Sequence, residues 1–375
     1  MHRIVYPVST LSRTGPTSQL LNIVTHLDKS CFKPIILTLS PESGDSRFAD
    51  FKAAGVEVSS LNMSRFNGLV RGHAAFRAHV RDLAPALIHS QGLRGDLLSA
   101  ACGYSAPRIA TIRNFPQNDY PMAYGLPGHI LARVHMSAVR RLDCAVGVSL
   151  AVERNMRERF GLLKTSTILN GVDLSRFSKT DANHARQLRD RLGLPENARI
   201  WISAGTLSPR KAPMTLLRAW FDAFSDTHEQ QLILLGDGPL MEECKEYVRD
   251  RKSVHLVGAV TNVSDYLQAA DIFVSTSLAE GLPNAAIEAM ACGLPVVLSD
   301  IEPHRELYGA NPNIGHLFPV NERDKVSDIL HAFSSIDLRS MSEAATLVAR
   351  TSFSAEVMAA SYKDLYIRLL KNASR

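Results

Sequence analysis

Short apolar runs alternate with longer amphipathic segments along the whole chain, the pattern of parallel sheets covered by helices. The runs predict strands at His2 to Val8, Lys33 to Leu39, Val56 to Leu61, Leu87 to Ser90, Arg108 to Ile112, Cys144 to Val148 and Thr167 to Leu169. A second series follows at Ile200 to Ala204, Gln231 to Leu235, Val254 to Val257, Ile272 to Ser275, Val296 to Leu298 and His316 to Phe318. Each series is long enough for its own doubly wound sheet. The polar stretch from Ser175 to Asn197 between them reads as a linker plus an early helix. Apolar positions at Val357, Met358, Tyr362, Leu365, Tyr366 and Leu369 predict a terminal helix whose apolar face must dock elsewhere. The expected organisation is therefore an α/β chain with domains at 1–174 and 175–353 and a closing helix at 354–371.

Composition changes this picture little. At 375 residues, with 45% hydrophobic and 21% charged, the chain has room for two ordinary cores. The N-terminal stretch turns polar by Ser9, and no apolar run of about 18 residues occurs, so neither a secretory leader nor a membrane span is expected. The five cysteines show neither a Cys-x-x-Cys pair nor metal-ligand spacing. A reduced, cytoplasmic setting without disulfide or metal follows as the expectation.

Charge is informative locally. From Arg65 to Ala145 there are ten arginines and four aspartates, but no lysine and no glutamate. That bias favours an anionic partner, such as a lipid phosphate or an anionic membrane surface, or else a solvated basic face. Nucleic acid is not expected, because no recognised binding motif accompanies the charge. Within this stretch, His129 to Leu142 reads as an amphipathic helix with Ile130, Val134, Ala138 and Leu142 along one side. Tyr120, Pro121, Met122, Tyr124 and Leu126 precede it, adding bulk suited to a membrane surface or a lipid-linked acceptor.

The chemistry concentrates in Glu280 to Pro295, where Glu280 and Glu288 flank seven residues around a helix start. Pro283 suits the first helical turn, and Gly293 with Pro295 stops the helix before a buried strand. Backbone N–H groups from Gly281 through Leu282 and Asn284 to Ala285, with the helix dipole, suit an anion such as a diphosphate. Glu288 has no cation among its helical neighbours, so a buried carboxylate there needs an outside partner, for which ribose hydroxyls serve.

This stretch resembles the Glu-x7-Glu motif of retaining glycosyltransferases of family 4, which have the GT-B architecture. The resemblance implies two Rossmann-like domains facing across a cleft, with the terminal helix crossing back onto the first. It implies that Glu280 approaches the donor sugar and that Glu288 holds the nucleotide ribose. Ser203 to Pro213 follows a strand and precedes a helix, a place where open α/β sheets bind ligands. Lys211 matches the family's phosphate-binding lysine. Thr206 stands where the family has an arginine, and Arg210 is the candidate replacement. Thr14-Gly15 stands for the family's Gly-Gly pair, leaving Gly15 to let backbone approach a phosphate. Arg113 falls where many members carry a histidine near the reacting centre. An arginine cannot act as a general base, so it would bind an anion of donor or acceptor. Gly258 resembles the segment near the donor base, while Asn170 to Asp173 resembles a hinge segment and reads as structural. Gly236-Asp237-Gly238 lacks the third glycine of a dinucleotide fingerprint, with Met241 in its place.

The expectation is thus a metal-independent transfer, with no cofactor beyond a UDP- or GDP-linked sugar as co-substrate. The implied acceptor is a saccharide, on a lipid carrier, in a bacterial envelope polysaccharide. A nucleotide-sugar epimerase and a catalytically silent scaffold share the architecture and stay open as alternatives.

Overall fold

The computed structural model describes residues 1–42, 44–320 and 322–373, without the side chains at 65–70. The chain divides into two compact units, Met1–Gly171 with Ala355–Arg375, and Val172–Ser354.

The first unit is built on β1 (His2–Val8), β2 (Phe32–Thr38), β3 (Glu57–Ser60), β4 (Leu87–Gln91), β5 (Arg108–Ile112), β6 (Cys144–Gly147) and β7 (Thr165–Thr167). These pair in the order β3-β2-β1-β4-β5-β6-β7, with parallel registers such as Val5 opposite Ile35 and Ile88 opposite Arg108. Side chains alternate faces along a strand, so β1 feeds two apolar layers. Ile4 and Tyr6 join one core with Leu20, Ile23 and Ile109, while Val5 joins another with Ile35, Phe76 and Ile88. The closing helix, Ala355–Ala373, buries Met358, Tyr362, Leu365 and Tyr366 in the first of these cores.

The second unit carries β8 (Arg199–Ala204), β9 (Gln230–Leu235), β10 (Val254–Gly258), β11 (Ile272–Ser275), β12 (Val296–Ser299) and β13 (Gly315–Phe318). Their parallel order is β10-β9-β8-β11-β12-β13. Trp201 on β8 meets Trp220 edge to face at 6.1 Å, and Trp220 meets Phe224 at 4.7 Å, anchoring the helix Pro213–Phe224. The polar stretch after Ser175 forms one helix, Ala182–Leu192. Asp181 caps it by accepting from the N–H groups of Asn183 and His184.

In both sheets the strand order reverses direction once, between β1 and β4 and between β8 and β11. Such reversal points leave a crevice beyond the carboxyl ends of the strands, and the candidate residues gather there.

Two local expectations change. The helix after Glu280 begins at Asn284, with Pro283 as its cap residue rather than inside the first turn. The helix expected at His129 to Leu142 spans Pro127–Val139, and it buries Ala132, His135, Met136 and Val139. Ile130 and Val134, placed by the sequence on the apolar side, are exposed. The physical reason is polar: His135 finds a buried carboxylate, and that contact rotates its side of the helix inward.

Candidate active site

The second unit's site grows from the turn after β8 and the loop after β11. The chain leaves β8 through Gly205 and makes a single tight turn, Pro209–Lys211, before the helix Pro213–Phe224. Gly205 holds φ at +148°, and a Cβ there would sit 3.2 Å from Lys211 Cε, so the bare backbone lets the lysine stem lie across it. The opposite loop is tied in by backbone, as Leu278 N–H donates to Arg210 O at 2.8 Å. Thr276 Oγ1 donates to Ala212 O at 3.0 Å.

These ties bring Glu280 onto both cations. Lys211 Nζ lies 2.5 Å from Glu280 Oε1, and Arg210 Nη1 lies 3.1 Å from Oε2. Arg210 also donates to Ala279 O at 2.8 Å. Glu280 is buried, which by itself pushes its carboxyl up, but Lys211 and then Arg210 outweigh that and hold it at about 2. Thr206 is exposed, and Arg210 rather than residue 206 supplies the second cation of the group.

Eight residues on, Glu288 has a different environment. Burial pushes its carboxyl up to about 7, against the opposing pull of Arg176 and Lys211. It lies inside the helix Asn284–Ala291, whose Ala286 and Ile287 N–H groups donate to Pro283 O at 3.1 and 3.2 Å. Gly281, Leu282 and Pro283, which lead into that helix, are buried. Gly258 ends β10 with φ at +83°, and its carbonyl accepts from Gly236 N–H at 2.8 Å.

Two members of this neighbourhood escape sequence reasoning. His304 is fully buried, donates through Nδ1 to Ser299 O at 2.7 Å, and leaves Nε2 without a partner. Burial lowers it to about 4 despite Glu280 nearby, so the ring is neutral at physiological pH. Arg176, whose charge reaches Glu288, comes from the stretch that reads as linker; it donates to Thr261 O at 3.0 Å. Neither carries a local signal, since a lone His and a linker Arg are common surface residues.

The first unit has its own site at the β1/β4 reversal, a cavity of about 320 Å³. Arg113, which follows β5, donates to Asn170 Oδ1 at 3.0 Å and to Gln91 Oε1 at 2.9 Å. Its Nε and the Gln91 amide nitrogen are buried without partners. Gly15 opens the helix Gly15–His26, and its neighbours Thr14, Pro16 and Thr17 line the cavity. That helix clamps Gly171 through Gln19, which donates to its carbonyl and accepts from its N–H, both at 3.0 Å. Beneath Arg113, His89 bridges Thr111 Oγ1 and the hydroxyl of Tyr366, each at 2.7 Å, and Tyr362 reaches Thr111 at 2.9 Å. Burial, then the charge of Arg113, lowers His89 to about 3 and keeps it neutral.

The arginine-rich stretch does not act as a unit. Arg108 donates to Ser99 O, Arg94 to Ser40 Oγ and Arg113 into the cavity wall, while Arg77, Arg81, Arg133, Arg140 and Arg141 are exposed. The side chain of Arg65 lies outside the described residues. Among the described residues no cluster of His, Cys, Asp or Glu could hold a metal ion, and no helix is long and apolar enough to cross a membrane.

Comparison with known proteins agrees with this architecture. Residues 14–176 match the family described as Glycosyltransferase Family 4, and residues 198–335 match Glycosyl transferases group 1. TuaC of Bacillus subtilis, assigned to teichuronic acid biosynthesis as a glycosyltransferase, is 30% identical over 62% of this chain and 58% of its own length. The Escherichia coli UDP-Gal:α-D-GlcNAc-diphosphoundecaprenol α-1,3-galactosyltransferase is 30% identical over 56% of each chain. The chain thus spans a little over half the length of these two curated relatives. The crystal structure of Anabaena HepE with UDP and glucose superposes with a TM-score of 0.81 at 18% identity, over 98% of this chain and 100% of that one. Two parallel sheets in Rossmann-like units, the GT-B fold, thus carry a Glycosyltransferase Family 4 domain match over residues 14–176 and a Glycosyl transferases group 1 domain match over residues 198–335.

Proposed function

We propose that this protein is a retaining, metal-independent glycosyltransferase that moves a sugar from a nucleoside diphosphate, of the UDP class, to a saccharide acceptor. The observation that carries the reading is the Lys211, Arg210 and Glu280 group beside a helix start, with the ionisable Glu288 in that helix. Two cations and the positive end of the helix dipole suit a diphosphate, and the cations neutralise the charge that builds as it departs. Glu280 keeps those cations ordered before the donor arrives and presents a carboxylate to sugar hydroxyls. Glu288, half-buried in apolar surroundings, gains the hydroxyl partners of a ribose. With arginine at 113, no protein base is assigned near the reacting carbon. The bond from the anomeric carbon to the phosphate oxygen breaks, the bond to the acceptor oxygen forms on the same face, and the acceptor proton passes to the departing phosphate. UDP is favoured by relatives whose names specify UDP-sugars or bound UDP. Cell-envelope saccharides on a lipid diphosphate are the acceptor class that the relatives suggest.

Calorimetric titration of UDP and GDP in EDTA, on the wild type and on Glu288→Ala, tests the donor site. UDP binding that weakens by about 1–3 kcal/mol in the variant supports it, on the scale of a charged hydrogen bond. A folded protein that binds neither nucleotide overturns it.

A lipid-borne acceptor would also bring the protein to an anionic membrane. Met122, Tyr124, Leu126, Ile130 and Val134 are 63%, 59%, 83%, 66% and 48% exposed, and Arg133, Arg140 and Arg141 are exposed nearby. Bulk apolar side chains with cations suit the boundary of anionic headgroups. Sedimentation with vesicles containing phosphatidylglycerol should carry the wild type down and leave Leu126→Glu/Ile130→Glu in solution.

A further inference from the structure

Glu280 has two unlike sets of neighbours. Its cations reach solvent, since the side chains of Lys211 and Arg210 are 21% and 34% exposed against 7% for that of Glu280. His304 is fully buried. The ring is tied to the Glu280 loop through Ser299, whose Oγ donates to Ser277 O at 2.5 Å and whose carbonyl accepts from His304 Nδ1 at 2.7 Å. Ser277 and Ser299 are buried as well, so the ring is held from below. Its Nε2 has no partner among the described residues.

These bonds fix the tautomer. A carbonyl only accepts, so Nδ1 carries the proton, and Nε2 of the neutral ring is a bare lone pair. A carboxylate accepts too, so the neutral ring and Glu280 have no hydrogen bond to share. One proton on Nε2 would turn that atom into a donor. Burial disfavours the charged ring; of the charges that act on it, Glu280 is the strongest and favours it, Lys211 opposes it, and Asp300, which is paired with Arg305, favours it. The ring acts on Glu280 in return. Lys211 and Arg210 are also the cations that suit a diphosphate, and they cannot serve two anions fully at once. Drawn to a ligand, they would leave a buried carboxylate unpaired, a costly state.

We propose that Glu280 exchanges partners when the donor binds: Lys211 and Arg210 turn to the diphosphate, a proton from solvent adds to His304 Nε2, and the imidazolium becomes the ion-pair partner of the carboxylate. His304 is then a positioning residue that keeps Glu280 ionised and in place while the cations are engaged. The inference rests on the transferase reading for the ligand that draws the cations away. Net proton exchange would mix this step with Glu288, so the ring itself is read. Two-bond proton–nitrogen correlation spectra of protein labelled at the histidine nitrogens tell the tautomers from imidazolium, and His304→Gln identifies the His304 pattern among 13 histidines. At about pH 5.5, above the value of about 4 in the unliganded protein, His304 should be the neutral Nδ1–H form without ligand and imidazolium under saturating UDP. Lys211→Met removes the stronger cation and, without ligand, should raise the midpoint of the ring by about 1–2 pH units. A ring that stays neutral under saturating UDP overturns the exchange, and so does an unmoved midpoint in Lys211→Met. If UDP fails to bind the folded wild type, the transferase reading is what falls, while a raised midpoint in Lys211→Met still supports the pairing of Glu280 with His304.

Discussion

At the scale of single residues, the two glutamates differ because their neighbours differ. Glu280 is held at about 2 by Lys211 and Arg210, so its stabilising contribution is present above the ordinary carboxylate range and is lost as pH falls towards 2. Lys211→Ala leaves that buried carboxylate with one cation. We expect a loss of about 1–3 kcal/mol in urea unfolding, below the full cost of breaking a buried pair because the lysine is partly exposed. An unchanged midpoint would contradict the pairing. Glu288 runs the other way. Its folded-state value of about 7 means that the native chain holds a proton that the unfolded chain releases near 4.5. Stability relative to Glu288→Gln should therefore fall as pH rises from 4.5 to 7. Ribose hydroxyls favour the charged form, so UDP binding near pH 6 should release a proton. Calorimetry in buffers of different ionisation enthalpy reads that release, and Glu288→Gln should abolish it. The Glu-x7-Glu spacing is legible from sequence because one helix and its lead-in loop span it. His304 and Arg176 are not, because their approach to the same carboxylates depends on loops from other strands.

At the scale of elements, the helices Pro116–Tyr124 and Pro127–Val139 meet at a glycine. A Cβ on Gly128 would sit 2.3 Å from Tyr120 O, so the second helix starts against the backbone of the first. Gly128→Ala must separate them, at about 1–3 kcal/mol on the scale of overpacking, and would pull the Tyr120 hydroxyl from His135 Nδ1, 2.7 Å away. Thermal unfolding measures the first effect and tyrosine ring shifts in NMR the second. Unaltered values of both would mean that the pair is not locked there. The amphipathic reading of the second helix located the element and left open whether its apolar side meets the core or a surface; Ile130 and Val134 are exposed. Helical periodicity ranks residues by apolarity, whereas His135 is drawn inward by Asp96, an acid 39 positions earlier.

For the whole molecule, the C-terminal helix is the long-range element. Tyr366 shares hydrogen bonds with Tyr6 and His89, and Tyr362 with Thr111, across up to 360 residues of sequence. Met358, Tyr362, Leu365 and Tyr366 fill the first unit's core. Removing four such side chains, at about 2–5 kcal/mol each, exceeds the stability of most domains. A chain ending at residue 353 should lose amide-exchange protection throughout the first unit while β8 to β13 retain theirs. Retained protection in β1 and β4 would show that the helix is dispensable.

The sequence by itself determined the thirteen strands among the described residues, their division into two series and the Glu280 to Glu288 spacing, because each is a local pattern of apolar runs, turns and helix ends. Boundaries moved by one or two residues, as for β7, placed at Thr165–Thr167 rather than Thr167 to Leu169. Only the tertiary structure decided which loops meet. Lys211 reaches Glu280 over 69 positions because β8 and β11 are neighbours in the sheet, and strand order is not written in the period of any one strand. The same holds for the Tyr120, His135 and Asp96 chain, whose members look like unrelated polar residues until parallel pairing of β4 and β5 sets their helices side by side.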